Sequence, residues 1–264
     1  MRSFTQDDAY IYCTPGQLTE ECLKVNDLVL SIYRGFGFEH VRIKLSTRPE
    51  NRIGSDESWD RSEHALRTAL DKAGHPYTTF EGEGAFYGPK LENVLRDATG
   101  RDWQCGTLQV DFNLSERFET TYVAPSGEKR PPVMLHRALF GSLERFAGIL
   151  IEHHEGHLPL WLTPVQAVFA TFTGVADGWA NEETKALHAA GLRVETDLRN
   201  EKIGYKVREH ALKKTPVQIA LGAREEEDNT VTIRRHGMDT TQTLPLAEAT
   251  ALLLHDAHPP RGGI

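Results

Sequence analysis

The sequence predicts two domains of different class: an α+β domain built on an antiparallel sheet, followed by a smaller α/β domain with a parallel or mixed sheet. Three observations carry that expectation. In the first part, helical periodicity is interrupted by short strand-like runs that follow one another directly, as antiparallel strands do. The stretch "GHLPLWLTPVQ" then breaks the pattern with Gly156, Pro159 and Pro164, a natural linker. Beyond it, strand and helix patterns alternate one for one, as in α/β architecture. The expected boundaries are residues 1–158 and 159–264.

The elements follow in order. In "DDAYIYC", Ala9, Ile11 and Cys13 alternate with polar residues, so a strand is expected behind an acidic mouth of Asp7 and Asp8. Leu18, Cys22, Val25, Leu28, Leu30 and Ile32 recur at helical spacing, with Thr14 expected as N-cap and Gly35 and Gly37 ending the helix. "HVRIKLS" alternates as a strand, and "ESWDRSEHALRTALDKAG" is an amphipathic helix stopped by Gly74. From Tyr77 to Val123 the text is strand-like, and "PPVMLHRALFGSLERFAGILIEHH" gives a short strand, a glycine turn and an apolar helix. In the second domain "QAVFATF", "RVETDL", "PVQIALG" and "VTIRRHG" are the strands. "NEETKALHAAGL", "GYKVREHALKK" and a last segment ending near "LLLHDA" are the helices.

Composition narrows the class of function. The 264 residues, 39% hydrophobic and 26% charged, can bury a real core. No apolar run approaches the length needed to cross a bilayer, and the N-terminal residues show no signal-peptide pattern, so a cytoplasmic protein is expected. Cys13, Cys22 and Cys105 lack metal or redox spacing and read as reduced, buried thiols. A net charge of -8 argues against general nucleic-acid adhesion, yet a local basic face remains compatible with RNA.

Four stretches offer chemistry. "GEGAFYGPK" lacks the Gly-Lys-Ser/Thr ending of a phosphate loop, so a tight turn stands beside phosphate cradling. Its polar handles Glu83, Tyr87 and Lys90 sit among glycines that permit close approach to backbone. "HRALFGSLERF" sets His136, Ser142, Glu144 and Arg145 around a turn that opens a helix. An arginine there either holds a nucleotide by charge and stacking or makes an ordinary surface pair with a glutamate. His153, His154 and His157 approach metal-ligand spacing but read as a solvated helix end. Finally, "DLRNEKIGYKVREHALKK" concentrates Arg199, Lys202, Lys206, Arg208, Lys213 and Lys214 near Asn200, either a solvated face or an RNA-facing one.

Taken together, "SFTQDDA", "VRIKLSTRPENRIGSDESWD", "GEGAFYGPKLE", "QCGTLQVDF", "PVMLHRALFGSLERFAGIL", "LPLWLTPVQ" and "DLRNEKIGYKVREH" resemble the C-terminal part of the threonyl-tRNA synthetases. These are class II aminoacyl-tRNA synthetases, and the resemblance runs in order to about Leu244. It implies part of a class II catalytic domain followed by an anticodon-binding domain. It further implies ATP-dependent attachment of threonine to tRNA(Thr) through a threonyl-adenylate, with Mg2+ accompanying the nucleotide. Phe4, Gln104, Ser142 and Arg145 match ATP-side positions, Phe4 and Arg145 covering the two faces of adenine. Gln6, Asp8, Tyr87, Lys90 and Gln109 match amino-acid-side positions, and Asp8 matches the carboxylate that accepts from the threonine hydroxyl. Lys90 and Arg145 are the implied catalytic cations. Asn200, Lys214, Glu225 and Arg234 match anticodon-reading positions.

The same comparison marks departures. His136 matches one of three zinc ligands, but Tyr10 stands where another would be, so zinc is expected to be absent. Motif 1, the first strand of motif 2 with its arginine, and the third zinc ligand would all precede Met1. The chain alone is therefore expected to be impaired in catalysis, and a homodimer or a separate N-terminal partner chain is the implied complement. Two other readings stay open: a non-catalytic tRNA-binding or regulatory paralogue, and an adenylate-forming ligase for another acceptor.

Overall fold

The computed structural model describes residues 2–238 and 240–260, which divide after His153 into two compact units. The first contains β1 (Ala9–Cys13), α1 (Leu18–Gly35), β2 (Arg42–Ser46), α2 (Asp56–Ala73), β3 (Tyr77–Phe80), β4 (Lys90–Arg96) and β5 (Asp102–Asp111). It continues with α3 (Asn113–Arg117), β6 (Tyr122–Val123), β7 (Lys129–Arg130), β8 (Val133–Ala138) and α4 (Leu143–His153). Six strands form one sheet in the order β1-β8-β5-β4-β2-β3, antiparallel except for the parallel pair β2–β3.

The pleat gives this sheet two unlike faces. Leu45, Leu91, Leu108, Val110 and Leu135 point to one side, where Cys22 and Val25 of α1 and Leu66 and Leu70 of α2 close a buried core over them. The other side carries a polar row: Tyr10 pairs with His136, His136 with Gln109, Gln109 with Lys90, and Lys90 with Ser46. Five strands thus contribute one polar residue each at the same level of the sheet.

Local sequence explains most of the ends. Ser55 caps α2 by accepting from the Ser58 N–H at 3.2 Å, and Gly74 closes it in the left-handed region at φ 67°. Thr14 does not cap α1: its hydroxyl and N–H both donate to Gln17 Oε1, so its oxygen is turned away from the helix amides. α3 was unexpected from the sequence. It exists because the buried Asp111 carboxylate accepts from the N–H groups of Asn113 and Leu114, satisfying amides that a helix start leaves bare.

The glycines of "GEGAFYGPK" admit backbone rather than a ligand. A Cβ on Gly88 would lie 1.9 Å from the Val110 carbonyl oxygen, and one on Gly84 2.5 Å from that of Thr47. These residues are small so that the loop can lie against β5 and the end of β2.

The second unit holds β9 (Ala167–Thr171), α5 (Asp177–Ala189), β10 (Val194–Asp197), α6 (Ile203–Leu212), β11 (Val217–Leu221), α7 (Ala223–Asp228), β12 (Thr230–Arg235), β13 (Gln242–Pro245) and α8 (Leu246–Asp256). Its sheet order is β10-β9-β11-β12-β13, parallel through β11 and antiparallel beyond. Val217, Ile219, Val231 and Ile233 face Ala180 and Leu187 of α5 and Ala249 and Leu253 of α8, which form this unit's core.

The basic run in this unit is not one solvated face. Lys206 is buried and donates to the carbonyl oxygens of Thr171 and Asp197 at 2.8 and 2.9 Å, tying α6 to the ends of β9 and β10. Arg199 is paired with Asp197 and Glu209. Lys202, Arg208, Lys213 and Lys214 remain exposed. Among the described residues no helix is long and apolar enough to cross a membrane.

Two outcomes follow for stability. Gly88→Ala is expected to destabilise the first unit by about 3 kcal/mol or to prevent folding, because overpacking falls on backbone, whereas Gly16→Ala, with open space around it, leaves the thermal midpoint nearly unchanged in circular dichroism. Asp197 is buried against Arg199 and His210, and the arginine foremost holds its carboxyl well below the usual range. The stabilisation is therefore present above the ordinary carboxylate pKa of about 4 and lost as pH falls through the lowered folded value. Asp197→Asn is expected to cost about 3 kcal/mol at neutral pH, and denaturant titrations below pH 4 should find the two proteins converging.

Candidate functional site

The polar face of the first sheet opens into a cavity of about 340 Å³, of a size that holds a small organic ligand. Gln6, Asp8, Tyr87, Gln104, Gln109, His136 and Arg145 line it. These residues come from the segment before β1, the Gly84–Gly88 loop, β5, β8 and α4, so only the closed sheet brings them together.

Asp7 and Asp8, adjacent in sequence, do different work. The Asp7 carboxylate accepts from three successive amides, Leu139, Phe140 and Gly141, at 2.6 to 3.0 Å, with Arg137 3.6 Å away. It thereby fixes the turn between β8 and α4. Next to it, Thr5 N–H donates to Glu144, Leu143 N–H donates to Thr5, and Gln6 bridges to Ser142. The segment before β1 is stitched to the start of α4, which carries Arg145. Asp8 is left to the cavity, where its Oδ2 accepts the Tyr10 hydroxyl at 3.3 Å.

His136 is held between rings. Tyr10 meets it edge-on with centroids 5.0 Å apart, and Tyr87 lies tilted at 5.3 Å. Its Nε2 is 3.1 Å from Asp111 Oδ2, the same carboxylate that starts α3. The Tyr87 hydroxyl donates to Gln109 Oε1. Asp8 raises the Tyr10 phenol above its ordinary pKa, and burial together with Asp111 and Asp8 raises that of Tyr87. Both phenols are therefore protonated donors at neutral pH. Burial pushes the Cys105 thiol, also at the cavity wall, up to about 11, which makes it inert as a nucleophile.

Arg145 donates to the Gln104 carbonyl at 2.5 Å and places its guanidinium 5.9 Å from the Trp103 ring centroid. Ser142 Oγ donates to Glu144 and accepts from the Arg145 amide. Phe4 is an exposed ring just before this stitched segment, outside the cavity wall. Lys90 lies in the polar row, but its ammonium pairs with Glu92 at 2.6 Å and does not line the cavity.

His136 is bonded to Asp111 and flanked by Tyr10 and Tyr87. Among the described residues no group of three His, Cys, Asp or Glu is placed to hold a metal ion. A zinc ion does not fit this donor set.

In the second unit the anticodon-matched residues fall into separate places. Asn200 lies in the loop before α6, and Lys214 follows α6 with φ 61°, so the helix separates them. Glu225 on α7 accepts from Thr232 at 3.3 Å, and strand alternation puts Thr232 and Arg234 on the same face of β12. Glu225 therefore lies against the strand that carries Arg234, and Asn200 and Lys214 stand at opposite ends of α6.

Asp111 and Trp103 are positioning residues that sequence reasoning missed, and Asp7, expected only as part of an acidic mouth, is a third. The signals were slight: Asp7 is one of a pair, and Asp111 precedes Phe112 and Asn113 as many turn residues do.

Comparison with known proteins accords with this geometry. Residues 1–154 match the tRNA synthetase class II core domain (G, H, P, S and T), and residues 166–255 match the anticodon binding domain. The chain is 56% identical over 98% of its length to a threonine–tRNA ligase of Brucella canis and 55% identical to one of Rhodopseudomonas palustris. It spans about 40% of the length of these curated relatives. Among solved structures, the RNA binding domain of threonyl-tRNA synthetase from Cryptosporidium parvum superimposes with a TM-score of 0.90 at 37% identity, over 97% of this chain and 64% of that one. A putative threonyl-tRNA synthetase from Aeropyrum pernix gives 0.78 at 27% identity, over 98% and 65%. The polar-faced antiparallel sheet with its stitched α4, joined in sequence to an anticodon-binding domain, belongs to the class II tRNA synthetase family, and this chain is a homologue of the threonine–tRNA ligases.

Proposed function

We propose that this chain carries part of the active site and the anticodon-reading domain of an enzyme that joins threonine to tRNA(Thr) through a threonyl-adenylate. The observation that carries the reading is the convergence of Gln6, Asp8, Tyr87, Gln109, His136 and Arg145 on one cavity of the class II core. ATP enters with its adenine between the exposed Phe4 ring and the planar Arg145 guanidinium, with Gln104 and Ser142 at the nucleotide's edge. Magnesium needs no dedicated cage, because triphosphate oxygens and water supply most of its ligands.

On the amino-acid side, Asp8 accepts the hydrogen bond of the substrate hydroxyl, while Tyr87 and Gln109 present fixed polar groups beside it. Valine offers Asp8 no hydroxyl, and a site built around such a bond rejects the isostere by about 10⁴-fold. The substrate carboxylate then attacks the α-phosphorus, pyrophosphate leaves, and Arg145 stabilises charge developing on the phosphate. Lys90, held by Glu92, supports the row between Gln109 and Ser46. No step requires zinc. Asn200, Lys214, Glu225 and Arg234 read the anticodon. The reaction belongs to the cytoplasm.

A second reading, a tRNA-binding chain without adenylation, is favoured by one observation: the Tyr10 hydroxyl already occupies Asp8.

ATP–pyrophosphate exchange separates the two. Threonine-dependent exchange is expected to fall about 100-fold or more in Arg145→Ala, and valine should support almost none; equal exchange with valine, or exchange unchanged in Arg145→Ala, would remove the enzymatic reading. In fluorescence anisotropy, tRNA(Thr) binding should weaken steeply with salt and by about tenfold in Arg234→Ala. Equal affinity for an unrelated tRNA would count against anticodon reading.

A further inference from the structure

We propose that His157, His236 and Lys214, where β11 begins and β12 ends, form a phosphate-binding site that tightens as pH falls. The three groups are far apart in sequence and held by backbone. The His236 N–H donates to the Pro216 carbonyl at 2.8 Å, that of His157 to His154 at 2.7 Å, and that of Lys214 to Ala211 at 3.1 Å, in the left-handed residue that ends α6. The two imidazoles stack with centroids 3.5 Å apart and planes within 18°. Lys214 Nζ sits 2.8 Å from His157 Nε2, and its stem lies over Gly156. They border a cavity of about 280 Å³ whose other walls include Leu160, Val217 and Met238.

The charge balance of this cluster points to an anion. The 2.8 Å contact is a hydrogen bond from the ammonium to a neutral His157 ring. Burial, His236 and Lys214 hold the His157 pKa below its ordinary value, in that order. Protonating either ring sets positive charges in direct contact beside apolar walls, where their repulsion is strong. The carboxylates nearby do not offset it. Glu155, on the same loop, acts on His157 only at a distance. Asp256 is committed to Arg235 at 2.7 Å and to His255. Among the described residues Lys214 has no ion pair with a carboxylate. A phosphate group supplies oxygen acceptors for both Lys214 and a protonated His157, turning the repulsive arrangement into a chelate. Lower pH adds positive charge to the site, so phosphate affinity rises in that direction.

The chemistry is shared by free phosphate and by the phosphodiester of an RNA strand. Only the second source rests on the tRNA-binding reading above, because Lys214 is one of its anticodon-matched residues.

Histidine ring resonances of the full chain, followed by NMR between pH 5.5 and 7.5, test the site with inorganic phosphate and, separately, with a short single-stranded RNA. Phosphate is expected to move the His157 and His236 rings selectively, to raise the His157 titration midpoint, and to bind about fivefold more tightly at pH 6 than at pH 7.5. His157→Phe keeps a stacking ring and should lose that pH dependence, its backbone spectrum showing that the fold is intact. If RNA shifts the same two rings, the source is a phosphodiester. If phosphate alone does, the site serves a free anion, and the tRNA reading is judged by its own binding assay. Unmoved rings at every pH with both probes, or unchanged pH dependence in His157→Phe, would overturn the proposal.

Discussion

The period of two in a pleated strand, locked by the pairing of β1 with β8 and of β8 with β5, places nearly every distinctive side chain of the first unit. At the observed register Tyr10, His136, Gln109 and Lys90 stand in one row above the sheet, while Ile11, Leu135, Val110 and Leu108 pack below it. A slip of one residue would put imidazole and amide groups into the core and leucines into water. The same apolar burial that stabilises the sheet therefore aims the cavity residues, and stability and site geometry have a common origin.

The cavity's upper rim depends on carboxylates that never reach a ligand. Asp7 gathers the amides of residues 139–141, and Asp111 both opens α3 and holds His136. Charge-assisted bonds to several backbone N–H groups are strong and directional, so each acid fixes a piece of chain rather than one partner. Arg145 inherits its place from the first of these anchors, because α4 starts from the turn that Asp7 organises. Tyr10 changes the balance on the opposite rim. Its phenol donates to Asp8 and its ring meets His136 edge-on.

In the second unit, formal charge and effective charge part company. Lys206 and Arg199 satisfy interior carbonyls and carboxylates, while Lys214 leans on a histidine whose ring is stacked on another. The cations that remain exposed include Lys202, Arg208, Lys213 and Lys214 on and around α6 and Arg234 on β12. This distribution lets a domain in an acidic chain offer a local basic edge without losing its internal ion pairs.

Much of this was legible in the sequence, and the reasons differ by level. Periodicity gave the order and class of elements because apolar residues must share a face in any helix or strand, and Gly74, Ser55 and the prolines near residue 160 marked ends by local geometry. Motif resemblance singled out the residues that line the cavity, including Asp8, Tyr87, Gln109 and Arg145. Division of labour between Asp7 and Asp8, burial of Lys206, and the pressing of Gly88 onto β5 were beyond it. What the sequence determined by itself was local: propensity, caps and patterning, each set within a turn or two of chain. Tertiary structure alone decided which charges met partners and which were left for a ligand, because those partners are brought together only when distant strands pair.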